Sequence, residues 1–362
     1  LGEEVAMAQL PDSVVDPVAD AIFAHYKAKY GAEPQRPYLG ASSIGKSCAR
    51  ALWYGFRWSK PPEFSGKLYR VFQSGHLQEP RVYADLTAIG CTVYDCNPAT
   101  GKQWSWREPT NPHFRGNADG IITDLPQAKA PHILEIKTSS DKMFKVMQKD
   151  GVKNAKPEHY AQMQVYMKWS IDQFGKDGCH RALYFVVNKD NDSIYTERLE
   201  YNKEDAQALV DKALAIVQAN EPPVGVSTDP TWYECKWCDY RDICHGTDVP
   251  EPTCRSCSHS TPEPDASWGC GMYKITLEED NQRQGCNGHR YIPILLHKTG
   301  QPEDMDGTGV VYDTPSGRFT NGDPQENPAH ISSEEVHACR DKVMLTDPLT
   351  IKLRIENQGK FV

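Results

Sequence analysis

The sequence predicts an α/β protein, with a mixed central sheet flanked by helices and a small zinc-ribbon-like module on its C-terminal side. Three observations carry this expectation. Runs of helical periodicity alternate with short β-branched apolar runs as far as Ala219, the pattern of helices laid on a sheet. An Asp ends one of the strand-like runs and a Glu-x-Lys triplet interrupts the next. Twelve cysteines, most of them late in the chain, fall into two groups with ligand-like spacing.

The elements follow in order. Val14 to Tyr30 reads as an amphipathic helix, with Val14, Val18, Ile22 and Tyr26 on one stripe, and the Pro-rich stretch Gly31 to Pro37 ends it. A second helix is expected from about Ile44 to Gly55. A third, Gly66 to Ile89, carries His76 and Glu79 at i and i+3, so both can face one site. Strands are expected at Thr92–Tyr94, Phe114–Thr123 and Ile133–Thr138. Pro157 to Phe174 reads as a helix with Pro157 in its first turn, and Gln162 and Tyr166 share one face at i and i+4. Ala182–Asn188 and Ile194–Glu200 read as a strand pair. Asn202 caps a helix from about Lys203 to Ala219, which Pro222-Pro223 ends. Later, Gly309–Tyr312 and Arg318–Thr320 suggest a hairpin, and Ser333 begins or caps a last short helix. No internal repeat is present.

Composition narrows the class. A chain of 362 residues can hold one sizeable core and one or two small modules. With 25% charged and 39% hydrophobic residues it reads as a soluble globular protein. It carries no long apolar run, so a cytoplasmic protein with no membrane partner is expected. The net charge of −9 argues against a protein that coats nucleic acid through general basicity. The chain begins with Leu, which suggests that its natural start lies upstream.

The chemistry concentrates between Gly116 and Lys137. Alternate residues of a strand face one side, so Glu135 and Lys137 point together, and Asp119 can approach them from a neighbouring strand. Two carboxylates and an ammonium on one side of a sheet suit Mg²⁺ or Mn²⁺ and a water activated for phosphodiester cleavage. The pattern Asp119…Glu135-Ile136-Lys137 resembles the core of the PD-(D/E)XK nuclease superfamily. Phe72-Gln73-Ser74-Gly75-His76-Leu77-Gln78-Glu79 resembles its first motif, and Gln162-x-x-x-Tyr166 resembles its RecB-type and lambda-exonuclease-like branch. The resemblance spans about Gly40 to Gly246. It implies a restriction-endonuclease-like fold and a deoxyribonuclease, with exonuclease action favoured over structure-specific or single-strand endonuclease action. It implies metal ligation by Asp119, Glu135 and the Ile136 carbonyl, completed by His76 or Glu79. Lys137 would orient water or stabilise charge, while Gln162 and Tyr166 would position the scissile strand or support Lys137. The rival from another class is an inactive, metal-stapled DNA-binding adaptor. A phage or bacterial setting in recombination, repair or replication, with partner proteins of those processes, is likewise implied by resemblance alone.

The cysteines add metal centres. Cys235, Cys238 and Cys244 offer three thiolates within ten residues, and Cys48 could supply a fourth. One early and three late cysteines bracketing the nuclease motifs resemble the iron–sulfur nucleases, including the AddB nuclease domain and the CRISPR-associated adaptation nucleases. That resemblance implies a [4Fe–4S] cluster, although zinc accepts the same four ligands. Cys254-x-x-Cys257, then Cys270, with Cys286 or His289 as the fourth ligand, reads as a separate Zn²⁺ module that the metal holds together. Cys91, Cys96, Cys179 and Cys339 have no ligand spacing. The expected organisation is an N-terminal helical segment (1–40), a cluster-closed nuclease core (41–247), a zinc module (248–300) and a tail (301–362).

From Arg36 to Phe72 seven basic residues face one acid, Glu63, and Trp53, Tyr54, Phe56, Trp58, Phe64 and Tyr69 interleave with them. Cations for phosphates and rings for bases suit single-stranded DNA or a frayed or ended duplex. Lys46, Arg50, Arg57, Lys67 and Arg70 are the DNA-contact candidates. Oligomeric state stays open at this stage.

Overall fold

The structure, a computed structural model, describes residues 16–306 and 309–361. The first helix, α1, spans Pro17–Tyr30; its cap is the Asp16 carboxylate, which accepts the amides of Val18 and Ala19. Val14, where a start was expected, lies outside the described residues. Helix α2 is Ala49–Phe56, later than the expected Ile44 start, because a 3₁₀ turn at Ala41–Ser43 precedes it and Cys48 is its N-cap. The single helix expected over Gly66 to Ile89 is two, α3 (Gly66–His76) and α4 (Gln78–Ala88). Pro80 explains the break: it has no N–H to give, and its ring collides with the carbonyl four residues back, that of His76.

The core is a five-stranded mixed sheet. Its order is Ile194–Glu200, Arg181–Asn188, His132–Ser139, Gly120–Thr123, Thr92–Tyr94. The central strand His132–Ser139 runs parallel to Arg181–Asn188 and antiparallel to Gly120–Thr123. Such a parallel neighbour needs a crossover, made here by α5 (Asp141–Ala155) and α6 (Pro157–Phe174). The sequence reading missed α5, although Met143, Phe144 and Met147 lie at helical spacing. Leu134, Ile136, Leu183, Phe185 and Val187 face one way and bury Val82 and Leu86 of α4. On the opposite face Ile133, Ala182, Tyr184 and Val186 pack into the larger core with Met163 and Met167 of α6. Helix α7 (Lys203–Gln218) follows, capped by Asn202, whose side chain accepts the Asp205 amide.

The expected strand Phe114–Thr123 divides at Ala118-Asp119. Phe114–Asn117 joins a three-stranded sheet with Leu39–Gly40 and Ser105–Arg107, whereas Gly120–Thr123 joins the core sheet. Asp119 therefore sits where the chain passes between two sheets.

Residues after 247 are folded onto this body. Cys254–Ser256 forms a 3₁₀ turn, and Ser260–Pro262, Trp268–Cys270 and Ile275–Thr276 form a small antiparallel sheet. Trp268 is buried against Phe56 of α2 and His113, at ring distances of 5.3 and 5.7 Å. The hairpin is Gly309–Thr314 and Gly317–Asn321, with Gln301–Asp306 as a third strand. Ser332 caps the helix that Ser333 begins, and a further helix, Pro348–Glu356, follows it. Among the described residues no helix is long and apolar enough to cross a membrane.

Candidate active site

The central strand presents Glu135 and Lys137 on one side, as strand alternation requires. The Glu135 side chain is fully buried and Lys137 is 29% exposed, with its Nζ against Glu135 Oε1. The other Glu135 oxygen, Oε2, is buried without a hydrogen-bond partner. Asp119 reaches across from the sheet junction, and its Oδ2 accepts the Ile136 amide at 2.7 Å. Tyr83 of α4 donates to the Asp119 carbonyl at 2.8 Å and fixes the turn. The structure thus brings Asp119, Glu135, Ile136 and Lys137 together around one point of the sheet.

Two further predicted residues lie at the α3–α4 break. His76 Nδ1 and Glu79 Oε1 are 3.0 Å apart, with side-chain exposures of 68% and 32%. Glu79 is the more inward of the two, and its charge acts on both Glu135 and Lys137. Gln162 and Tyr166 are buried on α6: Gln162 Nε2 donates to the Tyr166 hydroxyl at 3.1 Å, which donates to the Asn117 carbonyl at 2.7 Å. They anchor the strand that leads to Asp119 and touch neither Glu135 nor Lys137 through a hydrogen bond.

Electrostatics reflect the crowding. Burial pushes the Glu135 carboxyl up to about 8, with the Lys137 ammonium pulling against it and the Asp119 charge adding to it. For Lys137, burial works downward, but Glu135 and Asp119 outweigh it and hold the ammonium above its ordinary value. His159 lies nearby, its Nδ1 2.6 Å from the Tyr184 hydroxyl. Burial, then the Lys137 and Lys156 charges, push its imidazole down to about 3, so it is neutral at physiological pH. The sequence gives His159 no motif of its own; its place three residues before Gln162 on the same helix was the available signal.

This centre opens on a cleft of about 1190 Å³. Ile136, Lys137 and His159 line it together with His76 and Glu79 at the α3–α4 break and Tyr69 and Phe72 of α3. Lys67 and Arg70 on α3 and Lys46 before α2 are exposed, as DNA contacts require. Arg57 is corrected: it is 1% exposed and its guanidinium bonds to the carbonyls of Ala219, Arg255 and Ser260, so it cannot reach DNA. Arg50 is also committed inward, to the Pro223 carbonyl at 2.7 Å and the Cys244 sulfur at 3.5 Å.

The structure draws together both thiol groups. Cys48, Cys235, Cys238 and Cys244 line one cavity of about 20 Å³. Cys254, Cys257, Cys270 and Cys286 line another of about 20 Å³, with His259 and His289. Among the described residues, no three His, Cys, Asp or Glu side chains are arranged to hold a metal ion as they stand.

A mixed sheet crossed by helices, with Asp and Glu-x-Lys meeting on its central strands below an open cleft, defines a nuclease-type α/β fold. The model of the PD-(D/E)XK nuclease superfamily matches residues 21–245. The chain belongs to that superfamily. Among solved structures it is similar to the crystal structure of SSO0001, with 15% identity, a TM-score of 0.39, and coverage of 63% of this chain and 96% of that one. It is also similar to an alkaline exonuclease (LHK-Exo) from Laribacter hongkongensis, with 16% identity, a TM-score of 0.36, and coverage of 53% and 90%. The same exonuclease in complex with dAMP gives 18% identity, a TM-score of 0.35, and coverage of 53% and 88%. No curated protein matches the chain.

Proposed function

We propose that this chain is a Mg²⁺- or Mn²⁺-dependent deoxyribonuclease that degrades DNA from an end. One observation carries the reading: a buried carboxylate with an unpartnered oxygen, Glu135 Oε2, lies beside Asp119 and Lys137 under a cleft large enough for a nucleic-acid strand. An orphaned carboxylate oxygen is costly unless a cation satisfies it, so the donor set fits a hard divalent ion. Asp119, Glu135 and the Ile136 carbonyl would hold it, with Glu79 favoured over the more exposed His76. When bound, such an ion supplies positive charge to the scissile phosphate and acidifies a water. Lys137, which lines the cleft, orients the attacking water and offsets the negative charge that grows on the phosphate. Gln162 and Tyr166 are positioning residues that hold the Asn117 end of the Asp119 strand. Tyr69 and Phe72 offer ring faces to bases in the cleft, while Lys67 and Arg70 take phosphates, which favours a single strand or an unpaired end.

The four thiols Cys48, Cys235, Cys238 and Cys244 belong to the same proposal as a structural centre that ties α2 to the segment beyond α7. The resemblance favours a [4Fe–4S] cluster. Zinc accepts the same four ligands. Visible absorption and iron content of anaerobically purified protein separate the two. A mononuclear zinc centre among residues 248–300 completes the set of proposed cofactors. A phage or bacterial recombination, repair or replication role is proposed on resemblance.

The test is digestion of 5′- and 3′-labelled linear DNA, single- and double-stranded, beside a circular substrate and the Glu135→Ala variant. Metal-dependent loss of linear DNA, absent in the variant, is expected. Cutting of the circle would make the protein an endonuclease, and activity retained by Glu135→Ala would overturn this active site.

A further inference from the structure

Beyond Lys137 the cleft is lined by donors and no acid. Thr138, Ser139 and Ser140 follow along the chain, and Lys156, His159 and Tyr184 join them in the lining. Among the described residues that line the whole cleft only Glu33 and Glu79 are acidic, and Glu79 is the proposed metal ligand. The carboxylates nearest in sequence, Asp141 and Glu158, do not line it, and Asp141 is paired with Lys145. Tyr184 is the register partner of Glu135 on the adjoining parallel strand, so this end of the cleft abuts the catalytic centre.

Lys156 is half-buried at the junction of α5 and α6. Its amide donates to the Val152 carbonyl at 2.8 Å, and its own carbonyl accepts the amides of His159 at 3.0 Å and Tyr160 at 3.1 Å, which fixes the turn. Lys137 has Glu135 as its partner, whereas Lys156 forms no ion pair among the described residues. An unpaired ammonium on a fixed turn in a cleft attracts anions. Its charge and that of Lys137 are the two that act on the His159 ring.

The bond to Tyr184 decides which nitrogen His159 offers. Tyr184 is 0% exposed, so its hydroxyl proton needs a protein acceptor. Two are in reach: His159 Nδ1 at 2.6 Å and the Met147 sulfur at 3.6 Å. An imidazole nitrogen accepts strongly and a thioether sulfur weakly, so the proton goes to Nδ1. With Nδ1 accepting, the neutral ring carries its own proton on Nε2. Nε2 has no protein partner among the described residues, and the ring lines the cleft. It is a neutral N–H donor beside two ammonium groups, which suits a phosphate oxygen.

We infer that Lys156 Nζ and His159 Nε2 form a second phosphate subsite, which holds the phosphate next to the scissile one along the DNA strand, with Tyr184 as the positioning residue that aims His159. This subsite rests on the nuclease reading and adds the strand's path to it, from the Asp119–Glu135 centre past Lys137 to the first turn of α6. A grip on the neighbouring phosphate sets where the scissile one lies against the carboxylates.

The test is equilibrium binding of a labelled single-stranded oligonucleotide to the intact chain across a salt series, in buffer without Mg²⁺ or Mn²⁺ so that the strand survives. Lys156→Met is expected to flatten the slope of log affinity against log salt by about 0.7, the share of one phosphate on a single strand. An unchanged slope would overturn the subsite. His159→Gln places an amide N–H about where Nε2 stands, and His159→Asn about where Nδ1 stands. Affinity is expected within about twofold of wild type in the first and about tenfold weaker in the second, with the wild-type slope in both. The opposite order would make His159 a prop for Tyr184 and remove it from the subsite. A single neutral methylphosphonate linkage, moved along the strand, gives a further readout in the presence of Mg²⁺. Placed one linkage from the cut, it is expected to slow wild type about tenfold and Lys156→Met only about twofold; equal slowing would refute the contact. A wild-type chain that neither binds nor cuts DNA would bring down the nuclease reading and the subsite together. One that cuts DNA while every variant matches it would remove the subsite alone.

Discussion

The burial of Glu135 sets activity against stability. Its carboxyl has an ordinary value of 4.5 and is pushed up to about 8 in the fold, with burial as the first cause. A carboxyl raised in this way contributes full stability below its unfolded value. That stability is lost as the pH climbs from about 4.5 towards 8, because the unfolded chain ionises first. At pH 7 the gap is worth about 3 kcal/mol, from roughly 1.4 kcal/mol per pH unit, as an upper bound. At pH 5 it falls below about 1 kcal/mol. Glu135→Gln keeps the shape and removes the titration, and Lys137 is exposed enough to turn its ammonium to water. In buffer without Mg²⁺ or Mn²⁺, the variant is therefore expected to be more stable than wild type at pH 7 by up to about 3 kcal/mol and nearly equal at pH 5. Urea unfolding at the two pH values measures this directly. Cleavage by the same variant should fall by about a thousandfold or more, since a metal-ligating charge is lost. Equal urea midpoints for the two proteins at pH 7 would refute the argument from burial.

Other outcomes follow from the same geometry. Because a proton on Glu135 competes with the cation, Mg²⁺ or Mn²⁺ affinity should rise about tenfold per pH unit up to about pH 8 and then level off, as read by calorimetric titration. Glu79→Gln should raise the metal concentration needed for half-maximal cleavage by about tenfold or more, whereas His76→Asn, at the more exposed position, should change it little; the reverse order would assign the ligand to His76. A methyl group on Gly116 would stand 2.7 Å from the Tyr166 ring and 2.9 Å from Ala41 Cβ. Gly116→Ala should therefore destabilise the protein by about 1–3 kcal/mol and lower cleavage, because the overpacked Asn117 strand shifts Asp119. A denaturation midpoint equal to wild type would contradict that.

Much of the core was legible because its signals are local. The strand Ile133–Thr138, the helix from Pro157, the Asn202 cap and the pair Ala182–Asn188 and Ile194–Glu200 follow from periodicity and end residues. What escaped was set by tertiary partners. Phe114–Thr123 reads as one strand, yet the Ile136 amide draws Asp119 out of line and sends the two halves to different sheets. Pro80 carried enough information to divide the third helix, but the His76–Glu79 spacing favoured a continuous one. At the site, the meeting of Asp119, Glu135 and Lys137 was readable from alternation. The inward commitment of Arg57 was not, because its partners Arg255 and Ser260 lie far along the chain.

The parallel pairing of His132–Ser139 with Arg181–Asn188 also governs when the centre comes into being. A ribosome emits Asp119, Glu135 and Lys137 well before the strand that must flank them. Until residue 188 and the crossover helices have emerged, the catalytic strand has an open edge and no partner on that side. Chains that stall or break before that point hold every proposed catalytic side chain without the sheet that aligns them. Alignment of the proposed catalytic residues therefore waits on a strand made some fifty residues later.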